Sequence, residues 1–370
     1  MRSDGPFHGS YRCSDVTFLL QPLTLQPVVD VLEKERLIQS GARHYSEMVG
    51  LEHPPSPAYL QLFHAAVTAN AERMARDTVH LARRIRAARA GGAVTLVSLA
   101  RAGTPVGVLL RQVLAQCWGL EAPHYSISVI RDRGVDAAAL DHILARHAPE
   151  SIVFIDGWTA KGAITGELRR SLARYNQQCQ TRIAPDLFVL SDLAGLACAS
   201  GSADDYLIPS ALLGASISGL ISRSILNEQV GPGQFHGCLF HADHADWQAH
   251  DLSRWFIDRL LTEVTRHQTD WLTEPLAEVD RAAVRDRSTA RLTALAQRHA
   301  VTDLNFIKPG IGEATRALLR RAPKRLVLRD PGAADVSHLV QLARERDLPI
   351  DIDPTLDLHA VAIIRKLTDG

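Results

Sequence analysis

The middle of the sequence predicts an α/β fold with a mainly parallel sheet, on two observations. Short apolar runs recur there, and each is followed by a turn and a stretch of about 10–15 residues with helical spacing. Such alternation requires crossover connections, which place neighbouring strands parallel. Because ligands bind beyond the carboxyl ends of such strands, we expect the loops after residues 98, 130, 155 and 191 to share one rim.

The predicted elements follow from apolar spacing and from glycine and proline breaks. Residues 58–90 contain no glycine or proline and show one apolar face, which predicts a helix or two. Residues 204–300 look helical, and the uncharged 206–222 run predicts a buried helix. The predicted strands of the middle region are 93–100, 124–130, 151–156 and 186–192, and its helices are 105–117, 137–147 and 163–175. The predicted C-terminal elements are helix 313–321, strand 325–330, helix 335–346, strand 348–354 and a last helix from about 357.

Composition excludes several classes of protein. The 370 residues carry 41 Lys and Arg against 41 Asp and Glu, so no global field attracts nucleic acid or an anionic membrane. The uncharged 206–222 run is shorter than a bilayer requires. Five widely spaced cysteines without a CxxC pair favour neither a disulfide framework nor a zinc ribbon, and they predict a reduced, cytoplasmic protein.

The 151–168 segment is the most informative for chemistry. Its apolar run ends at Asp156, and a glycine-containing loop then enters a helix near Ala163. Backbone N–H groups of such a loop form a phosphate cradle in front of the helix N-terminus. A plain strand, turn and helix with a capping aspartate explains the same residues equally well. The segment is not a Walker loop, since no GK[ST] follows.

The same segment resembles the phosphoribosyl-pyrophosphate signature of type I phosphoribosyltransferases. Asp156 falls on the first acid of that signature and Gly162 on its first turn glycine, while Gly157 replaces the second acid. The resemblance implies that Asp156 orients the ribose, with a magnesium ion accompanying the substrate. It also implies that the 5-phosphate is wrapped by Thr159, Ala160, Lys161, Gly162 and Ala163.

A second loop, SLARAGTPVG at 98–107, resembles the pyrophosphate loop of the same family. The resemblance implies that Arg101 neutralises the diphosphate and that Thr104 caps the following helix. The backbone that would hold the diphosphate oxygens belongs to Ala100, Arg101, Ala102 and Gly103. In the later RDRGVD loop, Arg131 and Arg133 are expected to close over the diphosphate. A solvated turn is the alternative.

Further motifs extend the likeness over nearly the whole chain. FHGSYRCSDVTFLLQP, YSEM, HYSISVIRDRG and IPSALLGASISGLISR, with the two loops, resemble the phosphoribosyltransferase-like proteins of bacterial tellurite-resistance and stress operons. That group is also named StiP-type cysteine protease. The resemblance implies a phosphoribosyltransferase-like domain at 1–300 and a pelota-like RNA-binding domain at 301–370. The larger domain divides into a hood at 1–90, an α/β core at 91–195 and a helical extension at 196–300.

The segment KPGIGEATRALLRR at 308–321 resembles the Gly-x-Asn-Glu-x-Thr signature with which pelota-like domains approach RNA. Gly312 replaces the asparagine, which weakens the expectation of base-specific recognition. A basic stretch without acids follows at 314–329, so we expect phosphate contacts that weaken with salt. The expected RNA-binding residues are Lys308, Gly310, Gly312, Glu313, Thr315, Arg316 and Arg320. A solvated helix face is the alternative.

The His-rich stretch 236–250 offers another chemistry. Cys238 near His236 is a candidate thiolate nucleophile, although neither the cysteine nor the histidine spacing matches a metal or protease motif. A structural role, or one lining the substrate, is the alternative. Tyr206, Ser210 and Arg223 are candidates for the nucleobase side of the pocket, with core packing as the alternative.

Together these features predict a magnesium-dependent, phosphoribosyltransferase-type enzyme that acts on a phosphoribosyl-type substrate such as phosphoribosyl pyrophosphate. Asp156 and Arg101 are its expected catalytic residues. The sequence leaves two rivals open. One is a cysteine hydrolase that uses Cys238, and the other is a non-catalytic protein that senses a nucleotide and binds RNA. The sequence identifies neither the acceptor nor the oligomeric state.

Overall fold

The computed structural model describes residues 5–366. No helix in that range is long and apolar enough to cross a membrane. The helices are α1 Val31–Gln39, α2 Pro57–Ala88, α3 Gly103–Trp118, α4 Ala137–Leu144, α5 Ala163–Cys179, α6 Ala245–Ala249, α7 Ser253–Thr273, α8 Arg281–Arg298, α9 Ile311–Arg320 and α10 Ser337–Arg344. The strands are β1 Thr17–Leu19, β2 Gln21–Pro22, β3 Thr95–Leu99, β4 His124–Ile127, β5 Val129–Ile130, β6 Gly134–Val135, β7 Ile152–Thr159, β8 Leu187–Asp192, β9 Ala199–Ser202, β10 Gly237–Cys238, β11 Ile307–Pro309, β12 Pro323–Leu328, β13 Ile350–Ile352 and β14 Ala360–Ile364.

The main sheet has six strands in the order β1-β4-β3-β7-β8-β9, and its neighbouring strands are parallel. Strands β3, β7 and β8 are buried along their whole length, as expected for strands covered on both faces. Val97 at the centre of β3 pairs with Tyr125 and Phe154 on its two neighbours. The predicted parallel α/β sheet is confirmed, whereas its phosphoribosyltransferase-type topology stays a prediction.

Helices cover both faces of this sheet. Helices α2, α3 and α7 pack on one face through buried residues such as Met74, Leu109 and Phe256. Helices α4 and α5 pack on the other through Leu140 and Leu168. The sheet is therefore the middle of three layers, and its polar loops lie at the strand ends.

Helix α2 begins and ends where its sequence predicts. The Ser56 hydroxyl accepts a hydrogen bond from the Tyr59 amide at 3.3 Å, and Pro57 occupies the first turn, where its missing N–H costs nothing. The helix runs to Ala88 without a break, and Ala90 then adopts a positive φ of 46°. The predicted 58–90 segment is therefore a single helix.

The predicted helix at 206–222 is wrong, although the run is buried. Its only helical pieces are the 3-10 turns Pro209–Ala211 and Ala215–Ile217. Proline lacks the N–H for a continuing helix, and Gly219 and Leu220 both have positive φ, at 75° and 60°. The segment follows the surface of the core in irregular turns instead.

The C-terminal unit is a four-stranded sheet in the order β11-β14-β12-β13. Its last element is strand β14, not the helix predicted from about 357, of which residues 367–370 lie outside the described range. The sequence AVAII is buried along its whole length and pairs antiparallel with β11 and β12. A short, entirely apolar run between two strands suits a central strand, which periodicity alone does not distinguish from a buried helix.

Candidate functional site

A cavity of about 720 Å³ lies between the carboxyl edge of the main sheet and the C-terminal unit. Its walls come from the α1 segment, the loops after β3 and β7, and helix α9. Its described lining contains ten lysines and arginines but only four carboxylates. The cations are Lys34, Arg101, Arg131, Lys161, Arg223, Lys308, Arg316, Arg320, Arg321 and Arg346. The acids are Glu35, Glu52, Asp156 and Glu313.

The predicted shared rim is present in part. Residues from the loops after 98, 130 and 155 line the cavity, because their strands run in the same direction. The loop after 191 lies elsewhere, since Leu193 packs close to Gly310 of the C-terminal unit.

The predicted phosphate loop forms one wall of the cavity. Thr159, Ala160, Lys161, Gly162 and Ala163 all line it, as does Thr165 in the first turn of α5. Gly162 has a φ of 75°, and no side chain caps the helix. The hydroxyls of Thr159 and Thr165 are buried and have no hydrogen-bond partner among the described residues. This wall therefore places a helix N-terminus at the cavity, with two buried hydroxyls beside it that have no partner among the described residues.

Lys161 does not point at a phosphate position. Its ammonium donates to the carbonyls of Leu304 at 2.7 Å and Ile307 at 2.9 Å. Burial, followed by repulsion from Lys308, lowers its pKa to about 7. Lys161 thus ties the loop to the C-terminal unit.

Asp156 lies on β7 and lines the cavity. Its carboxylate accepts a hydrogen bond from the Gly157 amide at 2.8 Å. Burial raises its pKa to about 6, although the nearby Arg316 guanidinium opposes that rise. Glycine occupies position 157, where the resemblance places a second acid. Asp156 therefore has no acidic neighbour in the sequence.

The second predicted loop contributes only Arg101 to the cavity lining. Its guanidinium donates to both Glu52 oxygens, at 2.6 and 2.9 Å, and to the Ile221 carbonyl at 2.8 Å. Burial alone would raise the pKa of Glu52, but Arg101 overrides this effect and lowers that pKa to about 2. Arg101 is therefore already neutralised by the protein.

The other residues of that loop lie away from the cavity, and the predicted Thr104 cap is wrong. Ala100, Ala102, Gly103 and Thr104 are not among the described lining residues. A Cβ at Gly103 would lie 2.3 Å from the Ile155 carbonyl oxygen, so the loop packs on β7. The Thr104 hydroxyl pairs with that of Ser126 at 2.8 Å and caps no helix.

The two arginines of the predicted cover have different roles. Arg131 lines the cavity, and its backbone amide donates to the Tyr45 hydroxyl at 2.8 Å. Arg133 faces away, pairs with Glu47 and donates to the Leu226 carbonyl at 3.1 Å. Arg133 therefore does not line the cavity in this structure, and its closing over a ligand stays a prediction.

Part of the predicted RNA signature is covered by the main domain. The Ile311 amide, at the start of α9, donates to Asp205 at 2.8 Å, and the second oxygen of Asp205 accepts from the His359 amide at 2.8 Å. A Cβ at Gly312 would lie 2.5 Å from the Trp158 ring, so the asparagine of the signature does not fit. The Thr315 hydroxyl is buried within the C-terminal unit, where it contacts His338. Gly310, Gly312 and Thr315 are therefore not exposed to RNA in this arrangement.

The rest of the signature faces the cavity. Lys308, Glu313, Arg316 and Arg320 line it, and the Arg316 guanidinium lies 4.4 Å from the centre of the Trp158 ring. The basic face of helix α9 thus lies towards the main domain. The alternative, a helix face that is only solvated, does not describe these residues.

The His-rich stretch does not form a thiol site. Cys238 is fully buried in β10, and burial raises its pKa to about 12. The His236 ring bonds to the Ser128 hydroxyl at 2.8 Å instead of approaching the thiol. A thiolate nucleophile needs a lowered pKa and access, so Cys238 does not suit that role in this conformation. Residues 5–366 contain no group of three potential metal ligands.

Of the three nucleobase candidates, only Arg223 lines the cavity. Tyr206 and Ser210 are buried elsewhere in the core. Three residues that matter were missed: Lys34, Glu52 and Asp205. None of the three belongs to a recognisable motif, so only the fold reveals its partners.

Comparisons with known proteins identify the family. Residues 9–261 match the family described as tellurite-like stress resistance cysteine protease StiP. The chain is 40% identical over 375 residues to the protein named Cysteine protease StiP from Acinetobacter baylyi, covering 98% of this chain and 96% of the relative. This chain belongs to the StiP family. Residues 286–366 of this StiP-family chain match the PELOTA RNA binding domain. No solved structure matches it.

By name, these matches favour the cysteine hydrolase that the sequence left open as a rival. The stress-resistance family and the pelota-like domain are confirmed. The phosphoribosyltransferase expectation is wrong, because the family and the Acinetobacter relative both carry the name cysteine protease. Phosphoribosyl pyrophosphate has no support as a partner, and the magnesium ion expected with it stays a prediction.

Proposed function

We propose that this StiP-family chain binds single-stranded RNA by holding an RNA phosphate in the cavity between its main sheet and its pelota-like domain. The observation that carries this proposal is the charge of the cavity, where ten cations face four carboxylates. Such an excess favours a polyanion, although the chain as a whole is neutral.

The N-terminus of α5 supplies the phosphate position. The helix has 17 residues, and the first amides of a helix have no partner within it. These amides and the two buried threonine hydroxyls provide neutral donors, and the helix dipole favours an anion. The start of α5 thus places neutral donors at the wall of the cavity.

The size of the cavity selects the form of the RNA. A volume of about 720 Å³ accommodates one or two nucleotides but not a duplex. Proteins recognise single-stranded RNA because its unstacked nucleotides can enter such pockets one at a time. The covered signature of α9 also disfavours a structured RNA on that side.

Thr165→Val should lower the affinity for single-stranded RNA about tenfold, because a phosphate loses one charge-assisted hydrogen bond worth roughly 1.5 kcal/mol. It should not lower the melting temperature, since the hydroxyl has no partner in the described protein. Fluorescence anisotropy with a labelled pentanucleotide, over a series of salt concentrations, measures the affinity.

Thr104→Val is the matched control at the neighbouring helix α3. Its hydroxyl does have a partner, Ser126, so this variant should lose about 1 kcal/mol of stability and keep its RNA affinity. RNA binding that is independent of salt, or equal in the Thr165 variant and the wild type, contradicts the proposal.

A thiol-dependent hydrolase is the second candidate, because the 40% identical relative is named a cysteine protease. None of the five cysteines belongs to the described cavity lining, and only Cys13 and Cys179 are exposed. A hydrolytic site on Cys238 therefore requires a conformation in which that thiol is uncovered.

Alkylation of the native protein tests this candidate. We expect iodoacetamide to modify Cys13 and Cys179 at pH 7.5 and to leave Cys238 unmodified, since its thiol is buried and its pKa is raised to about 12. Peptide mapping by mass spectrometry measures the modification at each site. Modification of Cys238 as fast as Cys13, together with loss of peptide cleavage in Cys238→Ser, would restore Cys238 as the nucleophile.

A further inference from the structure

A second group of cations lies at the far end of helix α9 from the phosphate loop. Glu313, near the start of α9, interacts with Lys161 and Lys308 beside that loop. Arg320 ends the helix seven residues later, which is about 10 Å along the axis at 1.5 Å per residue. There Arg320 is repelled by Arg101 and Arg223 and attracted by Glu52, so the basic lining of the cavity continues to this end of the helix.

Three cations define this second region: Lys34 on α1, Arg223 after the irregular 206–222 segment, and Arg320 on α9. All three line the cavity. The acids nearby are already engaged, because Glu52 pairs with Arg101 and Glu35 pairs with Arg321. The region therefore holds more positive charge than its own carboxylates neutralise.

Neither Lys34 nor Arg320 has an ion-pair partner within 4 Å among the described residues. Lys34 is only 8% exposed, and burial, followed by repulsion from Arg223, lowers its pKa. Burial and the facing Arg101 lower the pKa of Arg320 to about 9. Arg223 donates to the carbonyls of Tyr45 and Met48, which orients its guanidinium without neutralising it. A buried cation without an ion-pair partner, such as Lys34, is costly, and a bound anion removes that cost.

We propose that Lys34, Arg223 and Arg320 form a second anion subsite, and that the cavity binds an RNA end through two phosphates. The first phosphate lies at the α5 N-terminus and the second at this subsite. This inference rests on the proposed function, since the first phosphate is the one assigned there. The second subsite also specifies the class of ligand. That ligand is an RNA end that carries a terminal phosphate followed by a phosphodiester.

The second subsite also gives a reason why helix α9 of the pelota-like domain lies towards the cavity. Arg320 comes from that domain, whereas Lys34 and Arg223 come from the main one. An anion between them contacts both domains at once. Binding of the second phosphate thus requires the docked arrangement of the two domains.

Two small probes separate the subsites: adenosine 5′-monophosphate and adenosine 3′,5′-bisphosphate. Isothermal titration of the full chain should show about tenfold tighter binding of the bisphosphate, as expected for one added charge-assisted contact. Arg320→Gln should remove that advantage, so that this variant binds the two probes with equal affinity. Lys34→Gln provides a second variant of the same subsite, and Arg344→Gln, an exposed arginine on α10, is the matched control that should keep the advantage.

The outcomes distinguish the two proposals. Equal affinity of the wild type for both probes overturns the second subsite and leaves the first intact. Monophosphate binding that is unaffected by Thr165→Val overturns the proposed function itself. Loss of the bisphosphate advantage in Arg344→Gln as well as in Arg320→Gln also overturns the subsite, because the effect is then one of general charge.

Discussion

Glu52→Gln should lower the free energy of unfolding by about 3 kcal/mol, because it breaks a buried ion pair. Arg101 is only 7% exposed, and Glu52 is its carboxylate partner in a two-bond pair of 2.6 and 2.9 Å. Removing one partner of a buried pair leaves an uncompensated charge, which costs about 3–5 kcal/mol. Glu52 keeps some solvent access, so the lower end of that range applies. Urea denaturation at pH 7 measures the change.

The pH dependence of this contribution has a definite sign. The pKa of Glu52 is lowered from 4.5 to about 2, so the folded protein holds the carboxylate in its charged form. Its stabilisation is complete above pH 4.5 and is lost as the pH falls towards 2. The stability of the Glu52 variant should therefore change less than that of the wild type across this window.

Glu33→Gln is the matched control, since Glu33 pairs with Arg36 at 3.8 Å on the exposed surface of α1. That substitution should change stability by less than about 1 kcal/mol. A combined Arg101→Met and Glu52→Gln variant should recover part of the loss, because no unpaired charge remains. Equal stability of Glu52→Gln and the wild type would mean that Arg101 is compensated by other groups.

Asp205→Ala should destabilise the docking of the pelota-like domain by about 2–4 kcal/mol. The two carboxylate oxygens accept from the Ile311 and His359 amides, both at 2.8 Å, and both amides belong to the C-terminal unit. Each hydrogen bond to a charged group contributes about 1.5–3 kcal/mol, and the variant leaves two amides without an acceptor. Hydrogen exchange should show faster exchange in α9 and β14 than in the main sheet.

Asp204→Ala is the control on the adjacent residue. Asp204 is exposed and pairs with Arg73 at 2.5 Å on the surface, so its loss should change stability by less than about 1 kcal/mol. Asp205→Asn keeps one acceptor oxygen and should give an intermediate effect. Unchanged exchange in α9 for Asp205→Ala would show that the apolar contacts of Trp158 and Leu193 hold the domain by themselves.

The contrast between two glycines shows how far sequence patterns reach. The sequence predicts Gly162 as the turn glycine of a strand, loop and helix, and its φ of 75° agrees with that prediction. At Gly312 the sequence predicts only a weakened RNA contact, yet the Trp158 ring lies where a Cβ would be. The first requirement is local to the chain, whereas the second arises from a residue 154 positions away in the printed sequence.

The sequence by itself determined the parallel sheet, the loop that enters α5 and the basic character of α9, because strand and helix periods and turn residues act over a few neighbouring positions. Only the tertiary structure decided which charges remain unpaired. It placed Glu52 on Arg101, Asp205 on the start of α9 and Cys238 in the core, and it left Lys34 and Arg320 facing the cavity. The pairing and burial of a charge depend on which surfaces meet, and no local pattern along the chain carries that information.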